Sequence, residues 1–358
     1  MSVVQFFIMK NRLETGATDG YDLLKRVSRS FYITLRVLPR AVRPQLSLAY
    51  LLARATDTVA DTDAITADKR QQVLSKLLMS ITAVCAQQKP SVPDLSAFFQ
   101  TDISGLSTKD TAERTLLENF ETLLNLLSEF SDSDREKICV VLKTIIHGQK
   151  TDIQRFGITP GQLNALATDN ELDAYTYEVA GCVGEFWTRL CLAHVFSGDP
   201  LNEKQLLSDA VRFGKGLQLV NILRDLPEDL RQGRCYIPEQ SLFRFGLTPK
   251  DLLNHDSMQR FRPLYDDYLK LAEEHLRAGW RYITLLPFRC VRVRLACTWP
   301  ILIGVKTLRR LRNVNILGDP RIKITRREIR RILVKSVLLY PRRKAWDRLI
   351  NIRPYLPE

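Results

Sequence analysis

Nothing in this sequence is apolar for long enough to cross a bilayer as a helix. The longest apolar run, Leu295 to Val305, is 11 residues and holds Pro300, against the roughly 20 that a span requires. The first nine residues lack the basic start and the cleavage site of a secretory signal. Cysteine is sparse and odd in number, seven at positions 85, 139, 182, 191, 235, 290 and 297 with no CxxC, and the four histidines at 147, 194, 255 and 275 make no HxxxH pair. That excludes the common structural zinc sites and favours a reduced, cytoplasmic setting. No GxGxxG follows a strand, and Gly214-Lys-Gly216 is only a glycine pair on a helix, so a Rossmann dinucleotide site is excluded. Internal repeats, low-complexity tracts and strand-like alternation are all missing.

What the chain does have is 45% hydrophobic and 26% charged residues over 358 positions, enough for a large folded core. Apolar residues recur at helical spacing almost throughout, as in Leu116, Leu117, Phe120, Leu123, Leu124 and Leu127. The periodicity predicts helices near 42–62, 65–88, 110–130, 133–153, 160–167, 171–195, 203–226, 257–286, 289–313 and 325–338. With no linker long enough to mark a boundary, it also predicts a single all-α domain over 1–358, a helical bundle. Of the net charge of +13, residues 277–358 hold 21 Lys and Arg against 4 Asp and Glu, so all the excess is in this strongly basic C-terminal region. Such a region suits an anionic membrane surface, a phosphorylated substrate or nucleic acid, and composition does not choose among them. Nucleic acid is disfavoured because no RNP-like or helix-turn-helix pattern accompanies the charge.

Two carboxylate pairs carry the chemistry. Asp57-Thr-Val-Ala-Asp61 and Asp225-Leu-Pro-Glu-Asp229 have i,i+4 spacing, which puts both side chains on one helical face. A third such spacing, Asp169 to Asp173, reads as helix N-terminal charge. Either pair alone also fits a surface acid paired with Lys. The context is different, because Asp57 and Asp61 end a helix with an apolar inner face (Leu48, Leu51, Leu52, Ala55) and Asp225 follows Val220, Ile222 and Leu223. Two carboxylates about 6 Å apart at the mouth of a core repel by roughly 3 kcal/mol at an effective dielectric near 20, which calls for cations. Hard oxygen donors without Cys or His favour Mg²⁺, which bridges to phosphate oxygens. Arg54 precedes Asp57 by three, and Gln218, Asn221 and Asp225 share a face with Arg224 beside them. Acids for metal next to guanidinium forks suit a diphosphate leaving group, whose ionisation needs a water-excluding cavity.

These residues resemble the squalene and phytoene synthase family. The resemblance runs in order through Ser28-Arg29-Ser30-Phe31-Tyr32, Tyr50 to Asp61, Tyr175-Thr-Tyr-Glu-Val179-Ala180-Gly181-Cys-Val183-Gly184, Gln218 to Asp229 and Arg234-Cys-Tyr236-Ile-Pro238. Cys297-Thr-Trp-Pro300 and Arg321 to Arg327 look like the squalene synthase branch, although Ala60 stands where that branch usually has Glu. The resemblance implies an all-α isoprenoid synthase fold and head-to-head condensation of two molecules of farnesyl diphosphate to presqualene diphosphate, then reduction by NADPH to squalene. By matching position, Asp57, Asp61, Asp225, Asp229 and Asn221 would hold Mg²⁺. Ser28, Arg29, Tyr50, Arg54 and Arg224 would bind diphosphates, Gln218 would line the site, and Tyr175 would assist proton transfer. Phe31, Val179, Ala180, Gly181 and Gly184 would shape an apolar tunnel, and Lys323, Arg326 and Arg327 would meet the 2′-phosphate of NADPH.

The resemblance leaves open a synthase that stops at dehydrosqualene, phytoene or hydroxysqualene, and, more distantly, a relative without activity. A monomer is expected. Arg342-Arg-Lys344-Ala-Trp346 suits peripheral attachment to anionic lipids, so truncation after Leu338 is expected to release the chain from membranes.

Overall fold

The computed structural model describes residues 20–28, 31–62, 64–88, 111–157, 162–318 and 322–350. Across them the chain is all-α, with one short strand pair, and no helix among the described residues is long and apolar enough to cross a membrane. Contacts gather the chain into two compact units: Met1–Gln154 with Arg189–Ser197, and Arg155–Thr188 with Gly198–Glu358.

The first unit holds α1 (Gly20–Ser28), α2 (Phe31–Val37), α3 (Arg43–Asp61), α4 (Ala67–Cys85), α5 (Thr111–Glu118), α6 (Phe120–Ser128) and most of α7 (Asp132–Phe156). Pro44 opens α3, where a residue without an N–H costs nothing. The inner face of α3 (Leu48, Leu51, Leu52, Ala55, Val59) is wholly buried against α4, α5 and α6. The single helix expected over 110–130 is two, parted at Asn119, whose side chain donates to the Thr115 carbonyl at 2.8 Å. Buried Asp134 has Gln45 Nε2 at 3.0 Å and His194 Nε2 at 2.7 Å, as a carboxylate removed from water must. Cys85 and Cys139 are joined as a disulfide across 54 residues of chain.

The second unit opens with strand β1 (Asn164–Ala165), then α8 (Asp169–Thr176), a π-helical turn Tyr177–Gly181, the start of α9 (Cys182–His194) and α10 (Glu203–Arg231). Strand β2 (Arg234–Cys235), α11 (Glu239–Phe243), α12 (Met258–Leu285), α13 (Val291–Leu311), α14 (Arg326–Leu339) and α15 (Arg343–Asp347) follow. The helix expected over 160–167 is not formed at 164–165. A window that short, headed by Pro160 and Gly161, cannot propagate a helix, and its backbone pairs in parallel with β2 instead, Leu166 N donating to Cys235 O at 3.1 Å. Asp169 does start a helix, as its charge suggests, with the Thr168 side chain accepting from Glu171 N as N-cap.

The main packing of this unit is α10 on α12. A Cβ on Gly216 would lie 2.8 Å from His275 Cβ, so the glycine sets how closely these helices approach. Near the end of the chain, buried Arg294 donates to the Ile283 and Leu286 carbonyls, both at 2.7 Å, and lies 4.9 Å from the Trp346 ring. Trp346 is 1% exposed and stacks on Trp280 at 4.9 Å. The tryptophan is therefore core rather than a membrane contact, while Arg342, Arg343 and Lys344 of the same stretch stay exposed. Cutting after Leu338 removes Tyr340 and Trp346 from the packing around Arg294, so the truncation would disturb the fold before it tested attachment.

Candidate active site

In the first unit, Asp57 and Asp61 end α3 with a turn between them. Asp57 Oδ1 accepts from Gln149 Nε2 at 2.8 Å, and Oδ2 from Arg54 Nη1 at 3.3 Å. The other arm of Arg54 pairs with Glu113, so the guanidinium bridges two carboxylates. Burial first and the Asp61 charge second push the Asp57 carboxyl up to about 6, while Arg54 and Gln149 pull it down. Its side chain keeps 48% of its surface open, so water tempers the burial cost. A carboxylate pair crowded in this way is one that a divalent cation would relieve. Tyr50 OH donates to Val27 O at 3.4 Å. Ser28 is buried, and its hydroxyl donates to the Leu24 carbonyl within α1. Arg29 and the Phe31 side chain lie outside the described residues.

In the second unit, α10 carries Gln218, Asn221, Arg224, Asp225 and Asp229. Arg224 grips the neighbouring Asp225 with two donors, Nε to Oδ1 at 3.0 Å and Nη2 to Oδ2, and Arg234 Nη2 stands 3.9 Å from Asp229 Oδ1. Asn221 Nδ2 donates to Gln218 Oε1 at 3.4 Å. The expected end of this helix at 226 is overrun by five residues, although Pro227 lies inside it. Proline has no N–H to give the carbonyl four residues earlier. The orphan, Leu223 O, accepts from Tyr265 OH of α12 at 2.9 Å. The helix therefore passes through the proline and keeps Asp225 and Asp229 one turn apart.

The π turn Tyr177–Gly181 lies against α10. A Cβ on Gly184 would stand 2.1 Å from the Ala210 carbonyl oxygen, and one on Gly214 2.2 Å from that of Ala180. Two glycines, one on each helix, thus let backbones touch, and the glycine pair 214/216 is a packing device rather than a chance spacing. Half-buried Tyr175, just before the turn, stacks on Tyr236 at 4.7 Å, and Phe156 meets Tyr236 edge-on at 5.1 Å. Lys215 Nζ pairs with Asp173 at 2.7 Å. Val179 is in the turn itself and half-buried. Lys323, Arg326 and Arg327 are exposed at the start of α14.

Sequence reasoning missed Gln149, Glu113, Arg234, Tyr236 and Tyr265 as neighbours of these side chains. Arg234 and Tyr236 were within reach, since they belong to the conspicuous stretch that ends at Pro238. The other three had no local signal. Among the described residues no three His, Cys, Asp or Glu side chains gather at metal-binding distance. Each aspartate pair offers two hard oxygen donors, and the rest of an octahedron would fall to water and phosphate oxygens. That donor set fits Mg²⁺, which typically keeps several waters.

The fold is that of helical isoprenoid synthases. The ligand complex of TcSQS superposes with a TM-score of 0.69 at 21% identity, covering 92% of this chain and 94% of that one. A dehydrosqualene synthase with bound ligand gives 0.64 at 22%, covering 93% and 99%. The squalene/phytoene synthase profile matches residues 24–328, and the chain belongs to that family. The squalene synthase of Saccharomyces cerevisiae is 27% identical over 67% of this chain and 49% of its own length. The 15-cis-phytoene synthase of Synechocystis is 25% identical over 75% and 70%. This chain thus spans about half the length of the yeast enzyme.

Proposed function

We propose that this chain joins two farnesyl diphosphates head to head into presqualene diphosphate, then reduces that intermediate to squalene. The observation that carries the reading is the pair of i,i+4 aspartates on each of two helices, each pair met by guanidinium groups: Arg54 on α3, and Arg224 with Arg234 beside α10. In this reading Asp57 and Asp61, and Asp225 and Asp229 with Asn221, hold Mg²⁺. When bound, the metal supplies charge neutralisation for departing diphosphate. Arg54, Arg224 and Arg29 give bidentate contacts to diphosphate oxygens, with Tyr50, Ser28 and Gln218 around them. The Tyr175 hydroxyl relays the proton lost as the cyclopropane closes to the released diphosphate, its ring held in place by the Tyr236 stack. Phe31, Val179 and Gly181 shape the apolar wall that keeps water from the allylic cation. The first half-reaction releases one diphosphate and one proton. For the second, Lys323, Arg326 and Arg327 would hold NADPH by its 2′-phosphate, and the cofactor would supply the hydride that replaces the other diphosphate.

A synthase that stops before reduction is the second reading, favoured by the phytoene synthases among the relatives. Incubation with farnesyl diphosphate and Mg²⁺, with and without NADPH, separates the two by mass spectrometry of the product. Squalene that depends on NADPH supports the first reading, and the same unreduced hydrocarbon in both tubes supports the second. Asp57→Asn and Asp225→Asn should each lower turnover by about 10²-fold or more. Near-normal turnover in both would remove the metal assignment.

A further inference from the structure

A cavity of about 870 Å³ opens in the second unit between α13, α14 and the segments that follow them. Its floor is aliphatic, with Leu302, Val305 and Ile332, and five cations line it: Lys306, Arg309, Arg310, Lys323 and Lys335. No carboxylate and no aromatic ring is among the lining residues. One acid stands close by: Glu328 is clasped by Lys306 at 2.9 Å and Arg310 at 2.6 Å, and it closes the capping box with Thr325 that starts α14. It offsets one of the five charges.

The outer side of α14 supplies an independent observation. Val334, Val337 and Leu338 are 50%, 49% and 70% exposed, at spacings of three and one that place them on one helical face. Arg330, Arg331 and Lys335 are exposed alongside. The helix is pinned from within, where Trp299 Nε1 donates to buried Ser336 Oγ at 2.9 Å, so these aliphatic side chains are held toward solvent. An apolar stripe flanked by cations on a short helix is the pattern of a segment lying in a membrane interface.

We propose that the cavity binds a single anionic phospholipid drawn from a bilayer surface. Its phosphate sits among the lysines and arginines, one acyl chain lies along Leu302, Val305 and Ile332, and Val334, Val337 and Leu338 dip into the same leaflet. The aliphatic floor and the lack of any ring to stack a base favour an acyl chain over a dinucleotide; of the cations offered to NADPH only Lys323 lines the cavity, so the 2′-phosphate falls to Arg326 and Arg327 outside it. This inference holds whether or not the chain makes squalene. It also moves attachment from the buried Trp346 to α14.

The test is co-sedimentation of the full chain with vesicles of phosphatidylcholine alone or doped with phosphatidylglycerol, together with binding of short-chain phosphatidylglycerol below its micelle concentration. Wild type should sediment with the anionic vesicles, and Lys323→Gln and Lys335→Gln should each weaken partition about fivefold. Val337→Asp with Leu338→Asp should abolish sedimentation yet keep binding of the short-chain lipid, whereas Ile332→Asp should lose the short-chain lipid as well. Variants are compared at equal helical circular dichroism, and the exposed pair 337/338 keeps the test informative if Ile332→Asp does not fold. Equal partition to neutral vesicles, full displacement of the short-chain lipid by NADPH, or unchanged vesicle binding in the 337/338 variant would each overturn the proposal.

Discussion

Replacing Tyr265 with Phe removes one oxygen atom, and on this structure it undoes the repair of a helix. Pro227 deprives the Leu223 carbonyl of its usual i+4 donor, and the Tyr265 hydroxyl supplies the missing hydrogen bond at 2.9 Å. Both residues are fully buried, so water cannot take over. Leaving a buried carbonyl unpaired costs about 1–3 kcal/mol, a substantial fraction of a stability of order 10 kcal/mol. Equilibrium unfolding in urea should show a lower midpoint at unchanged slope. The decisive comparison uses Pro227→Ala, which restores an N–H to Leu223. In that background Tyr265→Phe should cost less by about 1–2 kcal/mol, a coupling that a double-mutant cycle measures. Equal cost in both backgrounds would refute the repair. Asp225 and Asp229 flank Pro227 by two residues on either side, so the same variant should also loosen their alignment. In the proposed reaction the Mg²⁺ concentration for half-maximal rate would rise by several-fold, with a smaller change at saturation. An unaltered Mg²⁺ response would show that helix continuity does not matter to the pair.

Two further outcomes follow from the second unit. Gly214→Ala puts a methyl group where the Ala180 carbonyl oxygen already lies, 2.2 Å away; the π turn must move off α10, and the loss should exceed 2 kcal/mol by urea unfolding, far beyond the few tenths expected of a surface change. A cost near zero would show that the two backbones do not touch. His275 is held near 4 by burial first, then by Arg212 and Lys215, against the pull of Asp173. The folded state therefore refuses a proton that the unfolded chain accepts near 6.5, and stability should fall as pH drops from 6.5 toward 4, by at most about 1.4 kcal/mol per pH unit. Asp57, raised to about 6, works in the opposite direction between 3.8 and 6, since there the folded state holds the extra proton. The contribution is isolated by subtracting His275→Gln from wild type, and a difference that does not vary between pH 5 and 7 would contradict the assignment.

The pattern of success and failure in reading the sequence follows the range of each interaction. Asp57/Asp61 and Asp225/Asp229 were legible because i,i+4 spacing on a helix is local, and so were α3, α7 and α12, whose apolar periodicity runs for several turns. The partners that set the character of those acids were not legible. Gln149 reaches Asp57 from 92 residues away and Glu113 reaches Arg54 from 59, and periodicity says only that each sits on some helix, not which neighbour it meets. Pro227 read as a stop for the same reason, since the donor that lets the helix continue belongs to α12. Trp346 among cations looks alike in one dimension whether it anchors to lipid or fills a core. The Trp280 face and the Arg294 guanidinium decide that, and both lie far upstream. Gly214 read as incidental because its meaning is Ala180, on a turn it touches only after folding. In each case the local rule says which face of a helix a residue occupies, and the tertiary partner says what that face is for. Each acid pair is therefore where a sequence motif carries most, because both of its carboxylates lie within one turn of one helix.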